Sequence, residues 1–266
     1  MYVKVKDRKY WLEDTGGEGI PLVFLHGFTG SADTFNESIS LFSRTWRTIK
    51  VDMPGHRKTG ELGEIRMKEF CEDLHHILKE MSLNKIHLIG YSMGGRSALS
   101  FAAYYPEMID KLVLESASPG LANVGEQLER QKKDQHLIEK LMAQGLENFV
   151  NMWERIPLFD TQKMLRKEVR DRIRKERMSH TSKGLAESLA GMGTGRQPSW
   201  WEKLPELSHD VLLVAGMEDY KFIKLNEKME KLLPHARFHK IPDAGHAVHV
   251  EKPEFFAEIV EEFMLQ

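Results

Sequence analysis

A serine that could act as a nucleophile or a base stands at position 92, in the pattern glycine-x-serine-x-glycine over Gly90–Gly94. The aliphatic segment Lys85–Ile89 before the pattern is typical of a buried strand, and the apolar periodicity of Arg96–Tyr105 predicts a helix after it. The glycines permit a tight turn that would raise Ser92 out of a sheet, at a helix N-terminus whose free N–H groups can stabilise an anion. This context predicts an activated serine rather than a serine in an ordinary glycine-rich turn.

A serine hydroxyl is a weak nucleophile and a weak base unaided, so a second group must accept its proton. Where a serine occupies such a turn, the chain order is serine, then acid, then histidine. Asp219 follows the predicted strand Val211–Val214, and His246 lies in a later loop. We therefore expect His246 to take the proton of Ser92, and Asp219 to fix the tautomer of His246 and stabilise its imidazolium.

Other residues compete for these two roles. With 12 histidines in the chain, His249 and His239 are alternatives to His246 as the base. The loop position and the small residues before His246 favour it. Glu218 is the alternative to Asp219 as the acid, although the residue just before a shorter carboxylate usually faces elsewhere.

The anion that such a serine generates needs hydrogen-bond donors. The sequence His26-Gly27-Phe28 follows the predicted strand Pro21–Leu25, where an α/β-hydrolase fold provides one donor. We assign the oxyanion hole to the backbone N–H groups of Phe28 and Met93. His26 is predicted to be a structural hydrogen-bonding residue rather than a catalyst.

The segments that must position these residues indicate one fold class. Tyr2–Lys6 and Lys9–Glu13 alternate apolar and polar residues, as in an edge hairpin. Five later segments are short and aliphatic, as in strands buried on both faces of a parallel sheet, and helix-period stretches such as Met67–Met81 separate them. The prediction is an α/β-hydrolase fold with a mostly parallel central sheet and helices on both faces. The five segments are Pro21–Leu25, Thr48–Val51, Lys85–Ile89, Lys111–Leu114 and Val211–Val214.

One region, residues 120–205, interrupts the alternation of strands and helices. It contains no buried-strand pattern and is rich in Lys, Arg, Glu, Met and Leu, which predicts several helices. Since strand patterns resume afterwards, we interpret it as a helical cap over the strand ends where ligands bind. Residues 1–119 and 206–266 are then the α/β-hydrolase core.

The composition limits the possible functions. The 266 residues include 38 Lys plus Arg and 40 Asp plus Glu, so the net charge of -2 favours neither nucleic acid nor an anionic membrane as a partner. No apolar run approaches the ~20 residues needed to span a bilayer. Cys71 is the only cysteine, and the N-terminus lacks the apolar core of a signal peptide, which favours a cytoplasmic protein. No metal, nucleotide or other cofactor site is indicated.

The segment Gly90–Arg96 resembles the corresponding turn of 2-succinyl-6-hydroxy-2,4-cyclohexadiene-1-carboxylate synthase, an enzyme of menaquinone biosynthesis. Arg96, one helical turn beyond Ser92, is the distinctive residue, because many α/β-hydrolases share only the residues before it. The resemblance extends through the core and the cap. It includes Ser118–Leu121, Arg130 followed by Asp134, Trp153 with Pro157–Phe159, Gly193–Gly195 with Gln197 and Pro198, and Glu218–Phe222.

The resemblance implies a set of substrate-binding residues: Tyr91, Arg96, Arg130, Trp153 and Arg177. The family's substrate, 2-succinyl-5-enolpyruvyl-6-hydroxy-3-cyclohexene-1-carboxylate, is a small polycarboxylate with three carboxylates, and guanidinium groups bind carboxylates through two parallel hydrogen bonds. Arg174 is the alternative to Arg177, because both lie in one charge-rich helical run. Without the resemblance, Trp153 could equally be part of the cap's core.

The resemblance also implies a reaction, which is the elimination of pyruvate with serine as the base and no cofactor. The residues alone leave a second interpretation open. The same triad could form an acyl-enzyme, as in a carboxylesterase or in a carbon–carbon bond hydrolase that acts on meta-cleavage products. Arg96 and the arginines of the cap favour the polycarboxylate substrate.

Overall fold

The computed structural model describes all residues from 1 to 266, and its centre is one sheet of eight strands. The strands are β1 (Tyr2–Val5), β2 (Arg8–Asp14), β3 (Leu22–Leu25), β4 (Thr48–Val51), β5 (Ile86–Tyr91), β6 (Ile109–Glu115), β7 (Asp210–Gly216) and β8 (Ala236–Ile241). Their order across the sheet is β1-β2-β4-β3-β5-β6-β7-β8. The β1–β2 hairpin lies at one edge, β2 pairs antiparallel with β4, and all remaining pairs are parallel. The predicted edge hairpin and mostly parallel sheet are confirmed.

Nine α-helices accompany the sheet. They are α1 (Asn36–Ser40), α2 (Met67–Glu80), α3 (Met93–Tyr104), α4 (Val124–Trp153), α5 (Lys167–Arg177), α6 (Ser182–Met192), α7 (Tyr220–Glu230), α8 (Val248–Glu251) and α9 (Pro253–Leu265). Short 3₁₀ segments cover Pro106–Met108, Pro157–Met164 and Trp201–Glu206. None of the helices combines the length and apolar composition needed to cross a bilayer.

The hydrophobic core has one part on each face of the sheet. Successive side chains of a strand point to opposite faces, so Val23 and Leu25 of β3 join the larger cluster while Leu22 and Phe24 join the smaller one. Helices α2 and α3 cover the first face, and α8 and α9 cover the second. Burial on both faces explains why these strands are continuous aliphatic runs.

Strand β8 is absent from the predicted set of strands. It forms the second edge of the sheet, and only Ile241 at its end is buried. The exposed Arg237, His239 and Lys240 replace the aliphatic residues of an interior strand. An edge strand exposed in this way has no buried run that could identify it in the sequence.

The segment between β6 and β7 contains helices and no strand, and we use the name cap for its residues 120–205. Its longest element, α4, changes direction at Gly145, whose φ of 80° and ψ of 170° are not helical. Leu141 and Phe149 of α4 pack against Leu185 of α6, and Phe28 from the loop after β3 packs against the same cluster. The cap therefore contacts the loops at the carboxyl ends of the strands.

Candidate active site

Ser92 occupies the sharp turn between β5 and α3. Its φ of 52° and ψ of -107° are unfavourable for a residue with a side chain, at a cost of about 1–3 kcal/mol. The turn is held by hydrogen bonds from the Ser92 N–H to the Glu115 carbonyl oxygen (2.8 Å) and from the Arg96 N–H to the Ser92 carbonyl oxygen (2.9 Å). A Cβ atom on Gly94 would overlap the carbonyl oxygen of Leu25, so the close approach of α3 to β3 requires glycine there.

The fold brings Ser92, His246 and Asp219 into one hydrogen-bonded line. The Nε2 atom of His246 lies 2.9 Å from the Ser92 Oγ atom, and its Nδ1 atom lies 2.6 Å from an Asp219 carboxylate oxygen. Since a carboxylate only accepts, Nδ1 carries the proton and Nε2 is left free to accept the serine proton. Asp219 also caps α7, where its other oxygen accepts the Phe222 N–H at 3.4 Å.

The competing residues lie elsewhere. His249 is fully enclosed and bonds to the Glu115 carboxylate, with its Nδ1 atom 2.8 Å from Oε2. His239 is exposed on β8, and Glu218 is exposed beside Tyr220. Of the histidines and carboxylates considered, only His246 and Asp219 lie in line with Ser92.

The two proposed oxyanion donors come from different elements of the fold. Phe28 follows β3, and Met93 is the first residue of α3. Neither N–H group donates to another protein group, and both residues line the cavity that contains the Ser92 side chain. Two free N–H groups at this cavity, one of them at a helix N-terminus, are suited to stabilising a developing negative charge.

Three buried histidines hold the loop that contains Phe28. His26 Nε2 accepts the N–H of Met53 (3.0 Å), and His56 Nε2 accepts the N–H of Thr29 (3.2 Å). His180, from the cap, lies with its Nε2 atom 2.9 Å from the Thr29 carbonyl oxygen. Burial lowers the pKa of His26 to about 3 and that of His180 to about 4. His26 therefore has the structural surroundings predicted for it.

A cavity of about 440 Å³ lies above Ser92, between the strand ends and the cap. This volume is in the usual range for small-molecule sites. Ser92 and His246 form part of its wall, and three predicted substrate-binding residues do as well, namely Arg96, Arg130 and Trp153.

Arg96 is buried in this wall without a carboxylate partner. Its Nη1 atom donates to the Met192 carbonyl oxygen (2.9 Å) and to the Gln197 side-chain oxygen (3.1 Å), both of which are neutral. Burial, and after it the charge of Arg130, lower the pKa of Arg96 to about 10. A buried guanidinium that lacks a counterion is suited to binding an anion from the cavity.

Arg130 and Trp153 enter the cavity from opposite ends of α4. Arg130 is partly neutralised by Asp134, whose Oδ1 atom lies 2.8 Å from its Nε atom. The Trp153 ring stacks on Phe149 with a centroid distance of 5.5 Å and meets the edge of Phe28 at 5.5 Å. Trp153 thus belongs both to the cap's apolar cluster and to the cavity wall.

Tyr91 and Arg177 do not line this cavity. The buried Tyr91 ring packs against His246, with a centroid distance of 5.4 Å. Arg177 lies with its guanidinium carbon 4.7 Å from the ring centre of Phe159, and the centres of the Phe159 and His246 rings are 6.2 Å apart. Arg174 does not line the cavity either, and it bonds to Glu154 and Asn151, while Arg177 approaches the same Glu154 at 3.6 Å. Substrate contact by Tyr91 and Arg177 stays a prediction.

Two cavity residues were missed by the sequence analysis. Lys221 and Lys228 of α7 line the same cavity as Arg96 and Arg130. A signal was present for Lys221, which follows the acid Asp219 by two residues. No helix was predicted over α7, so the sequence analysis had no reason to place Lys228 on the same face.

Comparisons with known proteins agree with this description. Residues 20–253 match the family model described as alpha/beta hydrolase fold, which is the class that the sheet order and the turn at Ser92 define. A candidate 2-succinyl-6-hydroxy-2,4-cyclohexadiene-1-carboxylate synthase of Bacillus subtilis is 44% identical over 91% of this chain and 89% of its own length. The synthase of that name from Escherichia coli K12 is 28% identical over 90% of this chain and 91% of its own length.

A solved structure is similar to this chain over nearly its whole length. The structure of MenH from S. aureus superposes with a TM-score of 0.91 at 35% identity, and the match covers 96% of this chain and 97% of that one. Within the α/β-hydrolase class, the chain belongs to the family of 2-succinyl-6-hydroxy-2,4-cyclohexadiene-1-carboxylate synthases.

Proposed function

We propose that the protein is a lyase of menaquinone biosynthesis that eliminates pyruvate from 2-succinyl-5-enolpyruvyl-6-hydroxy-3-cyclohexene-1-carboxylate. The product is 2-succinyl-6-hydroxy-2,4-cyclohexadiene-1-carboxylate. The observation that carries the proposal is the buried Arg96, which has no carboxylate partner and lines the same cavity as Ser92. A neutral ester would leave that charge without a counterion, whereas a polycarboxylate would supply one.

The first step is a proton transfer. His246 accepts the Ser92 proton at Nε2, and the imidazolium that forms is stabilised by Asp219 at 2.6 Å. The serine oxygen then removes the ring proton α to the succinyl ketone, so the C–H electron pair moves into an enolate.

The second step expels the leaving group. The enolate collapses, the ring C–O bond to the enolpyruvyl group breaks, and its electron pair leaves with the enolate of pyruvate. That fragment takes up the proton held by the His246 imidazolium and becomes pyruvate, while the ring proton stays on the Ser92 oxygen, so both side chains return to their starting protonation. The ring keeps the new double bond as a cyclohexadiene.

The negative charge of the intermediate lies on the former ketone oxygen. The backbone N–H groups of Phe28 and Met93 donate to this oxygen in the proposed mechanism. Each such donor typically contributes about 2.7–4 kcal/mol to transition-state stabilisation. Arg96 and Arg130 bind substrate carboxylates and orient the ring over Ser92.

The test is to supply the enolpyruvyl substrate and measure pyruvate release, with the purified Ser92→Ala variant as the control. The same preparations are given a short-chain aryl ester. We expect kcat/KM for pyruvate release to exceed that for ester hydrolysis by orders of magnitude. Faster turnover of the ester would favour the acyl-enzyme alternative, which uses the same triad. We place the reaction in the cytoplasm, since the single cysteine, Cys71, is buried and cannot form a disulfide within the chain.

A further inference from the structure

One face of α7 forms part of the cavity wall. Lys221, Leu225 and Lys228 lie at positions i, i+4 and i+7 of this helix, and all three line the cavity above Ser92. The helix begins directly after Asp219, which caps it and bonds to His246. The hydrogen bonds of Asp219 therefore fix the start of α7 and, with it, the backbone positions of both lysines.

The two lysines have no counterions. Both lysines line the cavity but are exposed to solvent, and neither ammonium group takes part in an ion pair, whereas the equally exposed Lys240 pairs with Glu227 at 2.6 Å. Burial and the charge of Arg130 lower the pKa of Lys221. Positive groups around one cavity repel one another, and an anion bound in the cavity relieves that repulsion.

The charges in the whole cavity wall also favour the binding of an anion. It contains four cationic side chains, from Arg96, Arg130, Lys221 and Lys228, against the single carboxylate of Glu126. Asp134, just outside the wall, neutralises part of the Arg130 charge. The remaining excess is positive even though the chain as a whole has a net charge of -2. The local field therefore favours a ligand with more than one negative charge.

We propose that Lys221 and Lys228 form a carboxylate-binding subsite on α7, separate from Arg96, that takes a second carboxylate of the substrate. The assignment rests on the proposed function for the identity of that substrate. Arg96 comes from α3 and the lysines come from α7, so the two subsites lie on different elements and can bind different carboxylates of one molecule. Each ammonium group has three hydrogen-bond donors on a flexible stem, so it can reach a carboxylate in more than one orientation.

The kinetic test uses Lys221→Ala, Lys228→Ala and the double variant. Loss of a hydrogen bond to a charged group predicts a rise in KM of about ten-fold or more for the double variant. The lysines do not touch the reacting atoms, so kcat should change less than about two-fold. The KM of Lys221→Arg should stay close to the wild-type value, because arginine retains the positive charge. Lys224→Ala is the matched control, since Lys224 is exposed on the same helix and does not line the cavity.

A binding test makes the inference independent of turnover. Citrate carries three carboxylates and can be titrated calorimetrically into the wild-type protein, the double variant and Lys224→Ala. We expect the double variant to bind citrate about ten-fold more weakly than the other two. Equal citrate affinity in the wild type and the double variant, including no binding in either, would overturn the subsite.

The two tests also separate this inference from the proposed function. If the wild type releases no pyruvate but the double variant loses citrate affinity, the function is wrong and the subsite stands. If pyruvate release is efficient and KM is the same in the double variant, the function stands and the subsite is wrong.

Discussion

The Nη1 atom of Arg96 lies 2.9 Å from the carbonyl oxygen of Met192, which is the last residue of α6. A side chain of the helix that follows Ser92 is thus bonded directly to the cap. Gln197, the second acceptor of Arg96, donates in turn to the carbonyl oxygen of Ser118. Arg96 therefore has two tasks, since it charges the cavity wall and also connects α3 to the cap.

Both tasks predict a result for Arg96→Ala. Losing a partly desolvated ion pair with a substrate carboxylate costs about 2–5 kcal/mol, which lowers kcat/KM for pyruvate release roughly thirty-fold or more. The thermal midpoint should also fall, because the carbonyl of Met192 loses its donor. Arg96→Lys should fall between the wild type and Arg96→Ala, since it keeps the charge and loses the planar fork. Steady-state kinetics and thermal unfolding of both variants check this.

Ester hydrolysis provides the control for Arg96. A neutral ester has no carboxylate for Arg96 to bind. The rate of any ester hydrolysis should therefore decrease much less in Arg96→Ala than the rate of pyruvate release does. Equal decreases with both substrates would mean that Arg96 acts only through the structure of the turn and the cap.

The hydrogen-bonded line from Ser92 to Asp219 predicts non-additive losses. Ser92→Ala and His246→Ala should each lower kcat for pyruvate release by several orders of magnitude, and the double variant should lose little more, because the residues act as a unit. Single-turnover and steady-state rates of the three variants decide this. Near wild-type turnover by Ser92→Ala would exclude the serine as the base.

The buried histidines predict a loss of stability in acid. The pKa of His180 is about 4 in the folded protein and close to 6.5 in the unfolded chain, so below pH 6.5 the unfolded state binds a proton that the folded state does not. The neutral His180 ring therefore costs the folded protein nothing above pH 6.5, and the free energy of unfolding decreases as the pH falls from 6.5 towards 4. At pH 5 the loss is about 2 kcal/mol for His180, and His26 adds to it with the same sign.

Urea unfolding at pH 7.5 and pH 5.0 measures this effect. His180→Gln can still donate to the Thr29 carbonyl oxygen and does not titrate, so its free energy of unfolding should fall less between the two pH values than that of the wild type. His239→Gln is the control, because His239 is exposed on β8 and should leave the pH dependence unchanged. Identical pH dependence in the wild type and His180→Gln would contradict the prediction.

The Glu115–His249 pair predicts a large effect on stability. Both side chains are fully enclosed, and the Glu115 carboxylate accepts from the His249 ring at 2.8 Å and from its backbone N–H at 3.1 Å. Glu115→Ala leaves these donors buried without a partner, and the free energy of unfolding should fall by about 3–5 kcal/mol. Glu115→Gln keeps an acceptor oxygen and should lose less. Denaturant unfolding checks both, and a loss below about 1 kcal/mol in Glu115→Ala would show that the pair contributes little.

The turn at Ser92 was predictable from sequence because its causes are local. Gly94 must let α3 approach β3, and the segment before Ser92 has the aliphatic pattern of an interior strand. The predicted strand Lys85–Ile89 differs from β5 by only one residue at its start and two at its end. Steric and periodic rules that act over about ten residues were sufficient here.

The relative positions of distant residues could not be predicted in this way. His246 and His249 are three residues apart, and only the packing of the loop before α8 decides that the first reaches Ser92 while the second pairs with Glu115. Arg177 carries the residue type that the resemblance implied, yet Phe159 lies beside it and it does not line the cavity. Side-chain distances of this kind depend on how elements far apart in sequence pack.

The fold class, the turn that holds Ser92 and the helical character of the cap were predictable because they follow from periodicity and short-range sterics. The order of serine, acid and histidine then followed from the fold class. Which cations share one cavity depends instead on how distant elements pack. Arg96 and Lys221 are 125 residues apart, and they line the same cavity because β5 and β7 both flank β6, so the helices that follow these two strands begin at the same edge of the sheet. A chain with many charged residues cannot reveal such a grouping from its order alone, because electrostatic interactions depend on distances in space rather than along the chain.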